Sequence, residues 1–148
     1  MIIDNFKSFP PGGKIMGIDW GAKRIGVAVS DPDRKFVFIR QCLFNKPPRP
    51  QSGHPSTGGE LLKVIADEGV VGIVLGLPLR LDGTDSPTTV RVREFARELA
   101  GVVDVPIILF DESLTSFEAE ESGAKNLDSE SARVLLENAI AVINRKSI

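Results

Sequence analysis

The chain has 148 residues, 42% hydrophobic and 26% charged, with a formal net charge of −2. That is the size and balance of one globular domain with a core of its own. No apolar run is long enough to cross a bilayer, the lone Cys42 excludes a disulfide framework or thiolate metal cluster, and one histidine, His54, excludes chemistry that needs several.

Charge is unevenly spread. Up to Arg49, nine Lys/Arg stand against four Asp/Glu; from Gln51 onward, nine stand against sixteen. A basic sector beside acid-rich segments suits a polyanion handled with metal ions, and equally suits scattered solvated charge. The start, "MIIDNFKSFPPGGK", lacks the basic and apolar stretches of a signal peptide, so a cytoplasmic protein is expected. With Pro10, Pro11, Gly12 and Gly13 it reads as a flexible extension over residues 1–13, ahead of a single domain over 14–148.

Three strand-like runs open that domain: Ile15 to Trp20, Ile25 to Ser30 and Lys35 to Phe44. The short link Gly21-Ala22-Lys23-Arg24 predicts an antiparallel hairpin. "NKPPRPQSGHPSTGG" then reads as a surface loop. Glu60 to Glu68 has helical spacing, with Leu61, Leu62 and Ile65 inward. Val70 to Leu77 is short and apolar throughout, as a strand covered on both faces should be. The turn "PLRLDGTDSP" leads to a helix over about Pro87 to Ala100, with Ser86 as N-cap, Pro87 at the first position, and Val92, Phe95 and Leu99 inward. Val105 to Phe110 is the fifth strand. Thr115 and Glu118 match a capping box. The last helix, Ser129 to Arg145, turns Val134, Leu135, Ala139, Val142 and Ile143 inward. An antiparallel unit followed by right-handed crossovers gives an α/β fold: a five-stranded mixed sheet, three antiparallel strands then parallel ones, with helices on both faces.

Three acids stand where chemistry is expected. Strand alternation puts Gly17, Asp19 and Gly21 on one face, so Asp19 has glycine neighbours that leave room beside it. An acid bonded to the hairpin backbone explains Asp19 equally well. Glu112 follows Asp111 at the end of an apolar strand, where open α/β sheets bind ligands; a loop acid facing water is the alternative. Asp128 precedes the last helix and, alone, reads best as its N-cap. Carboxylates brought together repel unless cations neutralise them. Mg²⁺ takes oxygen ligands, and two ions about 4 Å apart clamp a phosphodiester displacement without His or Cys.

The stretches "GIDWGAKRIGVAVSD", "VLGLPLRLDGTDSPTTVRVREFA", "FDESLTSFEAE" and "LDSESA" occur in the order and near the spacing of the YqgF (RuvX) family. The chain resembles that family over about Lys14 to Asn144. Its members are RNase H-like proteins named for Holliday junction resolution and now regarded as pre-16S rRNA nucleases. The resemblance implies an RNase H-like domain and a nuclease, dependent on Mg²⁺ or Mn²⁺, that trims the 5′ end of pre-16S rRNA. It puts the catalytic and metal-holding acids on Asp19, Glu112 and Asp128, and nucleic-acid contacts on Lys23, Arg24, Arg91 and Arg93. Arg91 and Arg93 are two residues apart on a helix, so at least one is expected in a solvated or intramolecular pair.

Two departures stand out. Ser113 replaces the family's Arg after Asp-Glu, and the segment between Glu112 and Asp128 is short. Both slightly favour a non-catalytic RNA-binding assembly or transcription factor on the same fold as the alternative, beside a Holliday junction resolvase. A nucleotide-binding relative of the actin/sugar-kinase fold needs two lobes, and this chain is too short for them. Partners expected are nucleic acid and the ribosome or transcription machinery, with no membrane, for a monomer or homodimer. Gly83 and the helix start after it offer backbone N–H groups to a phosphate, or simply make a turn with Asp82. Trp20 is expected under a helix rather than on a base, Cys42 in the core and His54 in water.

Overall fold

The computed structural model describes residues 1–44, 58–111 and 127–146, without the side chains of Gly58, Leu127, Asp128 and Lys146. Glu112 and Ser113, the loop bearing His54, and the capping box at Thr115 and Glu118 lie outside the described residues.

In chain order the elements are β1 (Ile2–Ile3), β2 (Ile15–Trp20), β3 (Arg24–Ser30), β4 (Val37–Phe44), α1 (Gly58–Glu68), β5 (Gly72–Leu77), α2 (Pro87–Ala100), β6 (Ile107–Asp111) and α3 (Leu127–Lys146). The sheet order is β1-β6-β5-β2-β3-β4. β2, β5 and β6 run parallel, while β3 is antiparallel to both β2 and β4. The mixed α/β sheet expected from the sequence is present, with its five strands found.

A sixth strand was not foreseen, because it lies in the segment expected to be loose. Ile2 and Ile3 pair in parallel with Ile107 and Ile108 of β6. A 3₁₀ turn over Phe6–Ser8 follows, and Phe9 is buried, its ring lying against Gly72. Arg34 ties the rest down: its Nε donates to the Gly13 carbonyl at 2.9 Å and its Nη2 to that of Pro10 at 2.7 Å. Two residues of strand carry no periodicity to detect, and prolines and glycines around them read as loop.

The two faces of the sheet bury different side chains. Met16, Ile18, Ile25, Val27, Val29, Ile73 and Leu75 pack with Leu61 and Ile65 of α1 and with Val92, Ala96 and Leu99 of α2. Trp20 joins that side, 6.5 Å from the Phe95 ring, as expected. Ile15, Ala28, Val74 and Ile108 pack under Ala132, Leu135, Leu136, Ala139 and Ile140 of α3. This alternation along β2 carries Gly17 and Asp19 to the α3 face.

Gly17 is where α3 comes closest. A Cβ placed there would stand 2.9 Å from both the Ala132 carbonyl oxygen and the Leu136 Cβ. Gly21 is equally committed, since its Cβ would lie 2.6 Å from the Arg24 carbonyl oxygen across the hairpin. At Gly17 and Gly21 themselves the room is taken by helix and hairpin, so these two glycines serve packing. Gly17→Ala should lower stability by about 1–3 kcal/mol through overpacking. Gly59→Ala, which meets open space in α1, should be neutral or stabilising by up to about 1 kcal/mol. Thermal melts of the two variants make the comparison.

The edge strand β4 is moored to α1 through Glu68. Its carboxylate accepts from Arg40 Nε at 2.5 Å and lies 3.5 Å from Lys14 Nζ. The hydrogen bond from Arg40, helped by the charges of Arg40 and Lys14, holds the Glu68 carboxyl below its usual value near 4.5 despite some burial. A depressed folded-state pKa stabilises above the unfolded value and loses that contribution as pH falls through the folded one. Melting temperature should therefore drop as pH is lowered below about 4.5. Glu68→Gln should flatten that drop while costing about 0.5–1 kcal/mol at neutral pH, as melts from pH 3 to 7 would read.

Candidate functional site

Because β2, β5 and β6 are parallel, their C-terminal ends share one end of the sheet. The registers Ile18↔Leu75, Leu75↔Leu109 and Leu77↔Asp111 align them. Asp19 is the penultimate residue of β2, half-buried, and pairs with Gly26 of β3. Asp111 ends β6 and is exposed. Leu109 packs with the α1/α2 side and Phe110 with the α3 side, so the strand keeps its alternation to the end. Glu112 is the next residue in the chain.

What seats the start of α3 is a hydroxyl. Ser129 is fully buried. Its Oγ–H donates to the Arg40 carbonyl at 2.8 Å and its Oγ accepts the Val27 N–H at 3.5 Å. These two groups are left over by a β-bulge: Ile25 pairs with Leu43 but Val27 pairs with Arg40, so Gln41 and Cys42 together oppose Gly26. Asp19, Gly26, Val27 and Ser129 thus form a short relay across the sheet onto the helix. The helix begins at Leu127, so Asp128 occupies its first turn and not the cap position read from the sequence. Acids are favoured in a first turn because the helix dipole is positive there.

One turn further along α3, Arg133 pairs with Glu130 and with Glu137, the latter at 2.6 Å. The hydrogen bonds that Arg133 donates to Glu130, then to Glu137, raise its pKa above the usual value. Glu130 is itself buried, so its charge is answered within the helix.

The basic residues divide. Lys23 and Arg24, at the hairpin turn beside Asp19, are exposed. Arg91 is exposed on α2. Arg93 is engaged: its Nε and Nη2 donate to the two Asp85 oxygens at 3.0 and 3.1 Å. At least one solvated or intramolecular pair was expected of these two arginines; Arg93 makes it with Asp85, on the preceding loop.

That loop, Pro78 to Asp85, is a tied turn. Gly83 has φ +84, Arg80 N–H donates to Thr84 O at 2.9 Å and Gly83 N–H to Arg80 O at 2.8 Å. Thr84 donates its N–H and hydroxyl to Asp82, holding that carboxyl below its usual range. Ser86 and Thr89 cap α2 reciprocally, and Pro87 has no N–H. The turn reading of Asp82-Gly83 is the one the structure bears out. Ser86 takes the Thr89 N–H that a phosphate would otherwise have been offered.

Among the described residues, no three His, Cys, Asp or Glu side chains lie close enough to hold a metal, and no helix is long and apolar enough to span a membrane. Cys42 is only half-buried, at the bulge rather than in the core.

The model of a family described as "RuvX: Holliday junction resolvase" matches residues 13–142. The chain belongs to the RuvX family. It is 43% identical over 138 residues to a Maridesulfovibrio salexigens protein named "Putative pre-16S rRNA nuclease", covering 86% of this chain and 98% of that one. It is 33% identical over 159 residues to a Rhodopseudomonas palustris (strain BisA53) protein of the same name, covering 99% and 94%. Among solved structures, Thermus thermophilus RuvC in complex with a Holliday junction substrate overlaps with a TM-score of 0.49 at 15% identity, covering 88% of this chain and 96% of that one.

Sequence reasoning missed Ser129. Nothing in "LDSESA" distinguishes it from a solvated helix-start serine, since the bulge it serves lies 89 residues away from it in the chain. Ser129→Ala should cost about 1–3 kcal/mol, because it leaves a buried N–H and a partly buried carbonyl without a partner. If Asp128 works with Asp19, cleavage should fall further than the loss of folded protein explains. Melting curves and initial rates on the same preparation separate the two effects.

Proposed function

We propose that the chain is a metal-dependent phosphodiester nuclease acting on structured RNA, with the 5′ end of pre-16S rRNA as its substrate and a bacterial-type cytoplasmic setting. One observation carries the reading. Asp19 sits on the α3 face at the C-terminal end of β2, level with the end of β6 and one strand pair from the buried seat of α3, in a chain 43% identical to a protein named "Putative pre-16S rRNA nuclease".

Asp19, Glu112 and Asp128 would hold the metal. The donor set fits a hard cation: all three offer carboxylate oxygens, which suit Mg²⁺ or Mn²⁺ better than softer metals. A bound divalent ion supplies charge neutralisation and polarisation of a phosphate oxygen. The protein's own part is positional. Asp19 is fixed by the β2–β3 ladder, Asp128 is one residue from the Ser129 anchor, and Glu112 follows directly on the last residue of β6. Lys23, Arg24 and Arg91 attract the phosphate backbone, while Arg93 stiffens the β5–α2 loop through Asp85. A four-way DNA junction is the second substrate to test, because the matching family model is described as a resolvase.

With Mg²⁺ or Mn²⁺, purified protein should cut a pre-16S rRNA 5′ fragment, and Asp19→Asn should abolish cutting while leaving the melting temperature near that of the unmodified chain. Equal cutting by the two proteins, with contaminating nuclease excluded, would sink the assignment. A parallel four-way junction assay decides between RNA and branched DNA. Binding to RNA without cutting under any divalent metal would instead favour a non-catalytic assembly factor.

A further inference from the structure

Phe44 closes β4 with 63% of its surface exposed. It sits opposite Arg24 in the β3–β4 ladder, and the preceding pair is Ile25 with Leu43. Ile25 and Leu43 pack on the α1/α2 side. Alternation therefore sends Phe44 and Arg24 to the other face, the one Asp19 occupies. The bulge sets this parity. Without its additional residue Leu43 would stand opposite Arg24, and Phe44 would fall out of the pair.

β4 runs in the same direction as β2, so Phe44 lies at the end of the sheet that carries Asp19. Two strand spacings, about 10 Å, separate β4 from β2. Two other phenylalanines near this edge are exposed, but differently placed. Phe36, 65% exposed, precedes β4 at the opposite end. Phe38, 48% exposed, carries the Arg40 guanidinium 5.9 Å over its ring. Of the three, only Phe44 combines the Asp19 face with the Asp19 end.

An exposed aromatic beside an exposed arginine, on the face of a phosphodiester-cutting site, has a chemical complement. The ring matches the π-face of an unpaired base, whatever its identity, and the guanidinium matches the adjoining phosphate. A base locked in a duplex cannot offer its face. We propose that Phe44 and Arg24 form a stacking platform for an unpaired nucleobase of the substrate, about two strands to the side of the cleaved phosphate. The platform rests on the nuclease reading above and adds to it a preference for single-stranded nucleotides next to the cut.

The test uses the full chain carrying Asp19→Asn, so that RNA is bound uncut, with a fluorescent hairpin RNA bearing an unpaired 5′ segment and a fully paired duplex as probes. Phe44→Ala should weaken binding to the unpaired probe about tenfold and leave duplex binding unchanged, with Phe44→Trp restoring the affinity. The salt dependence should keep its slope in Phe44→Ala and lose about one unit in Arg24→Gln. Phe44 is exposed, so the melting temperature of Phe44→Ala should not move. Equal loss on both probes, or no loss on either, overturns the platform. So does a Phe44→Ala protein that binds RNA normally but loses a dimer seen by sedimentation, since the ring then serves self-association. With Asp19 intact, unchanged cutting of the unpaired probe by Phe44→Ala overturns the platform alone. A chain with both Asp19 and Phe44 intact that neither binds nor cuts RNA overturns the nuclease reading and the platform with it.

Discussion

The buried hydroxyl of Ser129 is the contact on which the geometry of this molecule turns. A β-bulge leaves the Val27 N–H and the Arg40 carbonyl without ladder partners, and burying such groups unpaired is costly. Ser129 answers both. In doing so it fixes where α3 begins over the sheet, and Gly17 then lets the helix descend almost to backbone contact. Each depends on the other. A side chain at Gly17 would lift the helix off its anchor, and a helix without the anchor would be held only by apolar contacts, which are not directional.

The same bulge has two consequences at once. It gives Ser129 its partners, and it places Phe44 opposite Arg24. One inserted residue therefore couples the seat of the last helix to the side chains offered on the Asp19 face. Bulges recur beside active sites because they re-aim side chains without changing the sheet. The β5–α2 loop, which leaves the sheet between β2 and β6, is held by its own hydrogen bonds and by the Arg93–Asp85 pair. Both devices hold backbone next to the proposed site, which suits a reaction that needs positioned carboxylates.

Much of the fold was legible. Apolar runs of strand length, helical spacing in "ELLKVIADE" and "VRVREFARELA", and the Ser86-Pro87 helix start report local preferences that tertiary packing did not override. Alternation along "MGIDWG" also placed Asp19 on the correct face relative to Met16, Ile18 and Trp20. The N-terminal strand was not legible, because Ile2 and Ile3 gain their conformation from β6 rather than from any pattern of their own. The role of the glycines was misread for a related reason. A sequence shows that Gly17 lacks a side chain, but only packing shows that Ala132 and Leu136 have taken the space.

The sequence by itself determined the class of fold, the family and which three acids the family's motifs nominate, since these rest on periodicity and on ordered motifs along one chain. Tertiary structure decided the rest: that Arg93 is spent on Asp85 while Lys23, Arg24 and Arg91 stay exposed, that Ser129 anchors α3, and that Phe44 shares a face with Asp19. Each of these depends on register and on contacts between segments far apart in the chain. A one-residue bulge reverses the face of every side chain beyond it, and nothing in the local sequence records that shift.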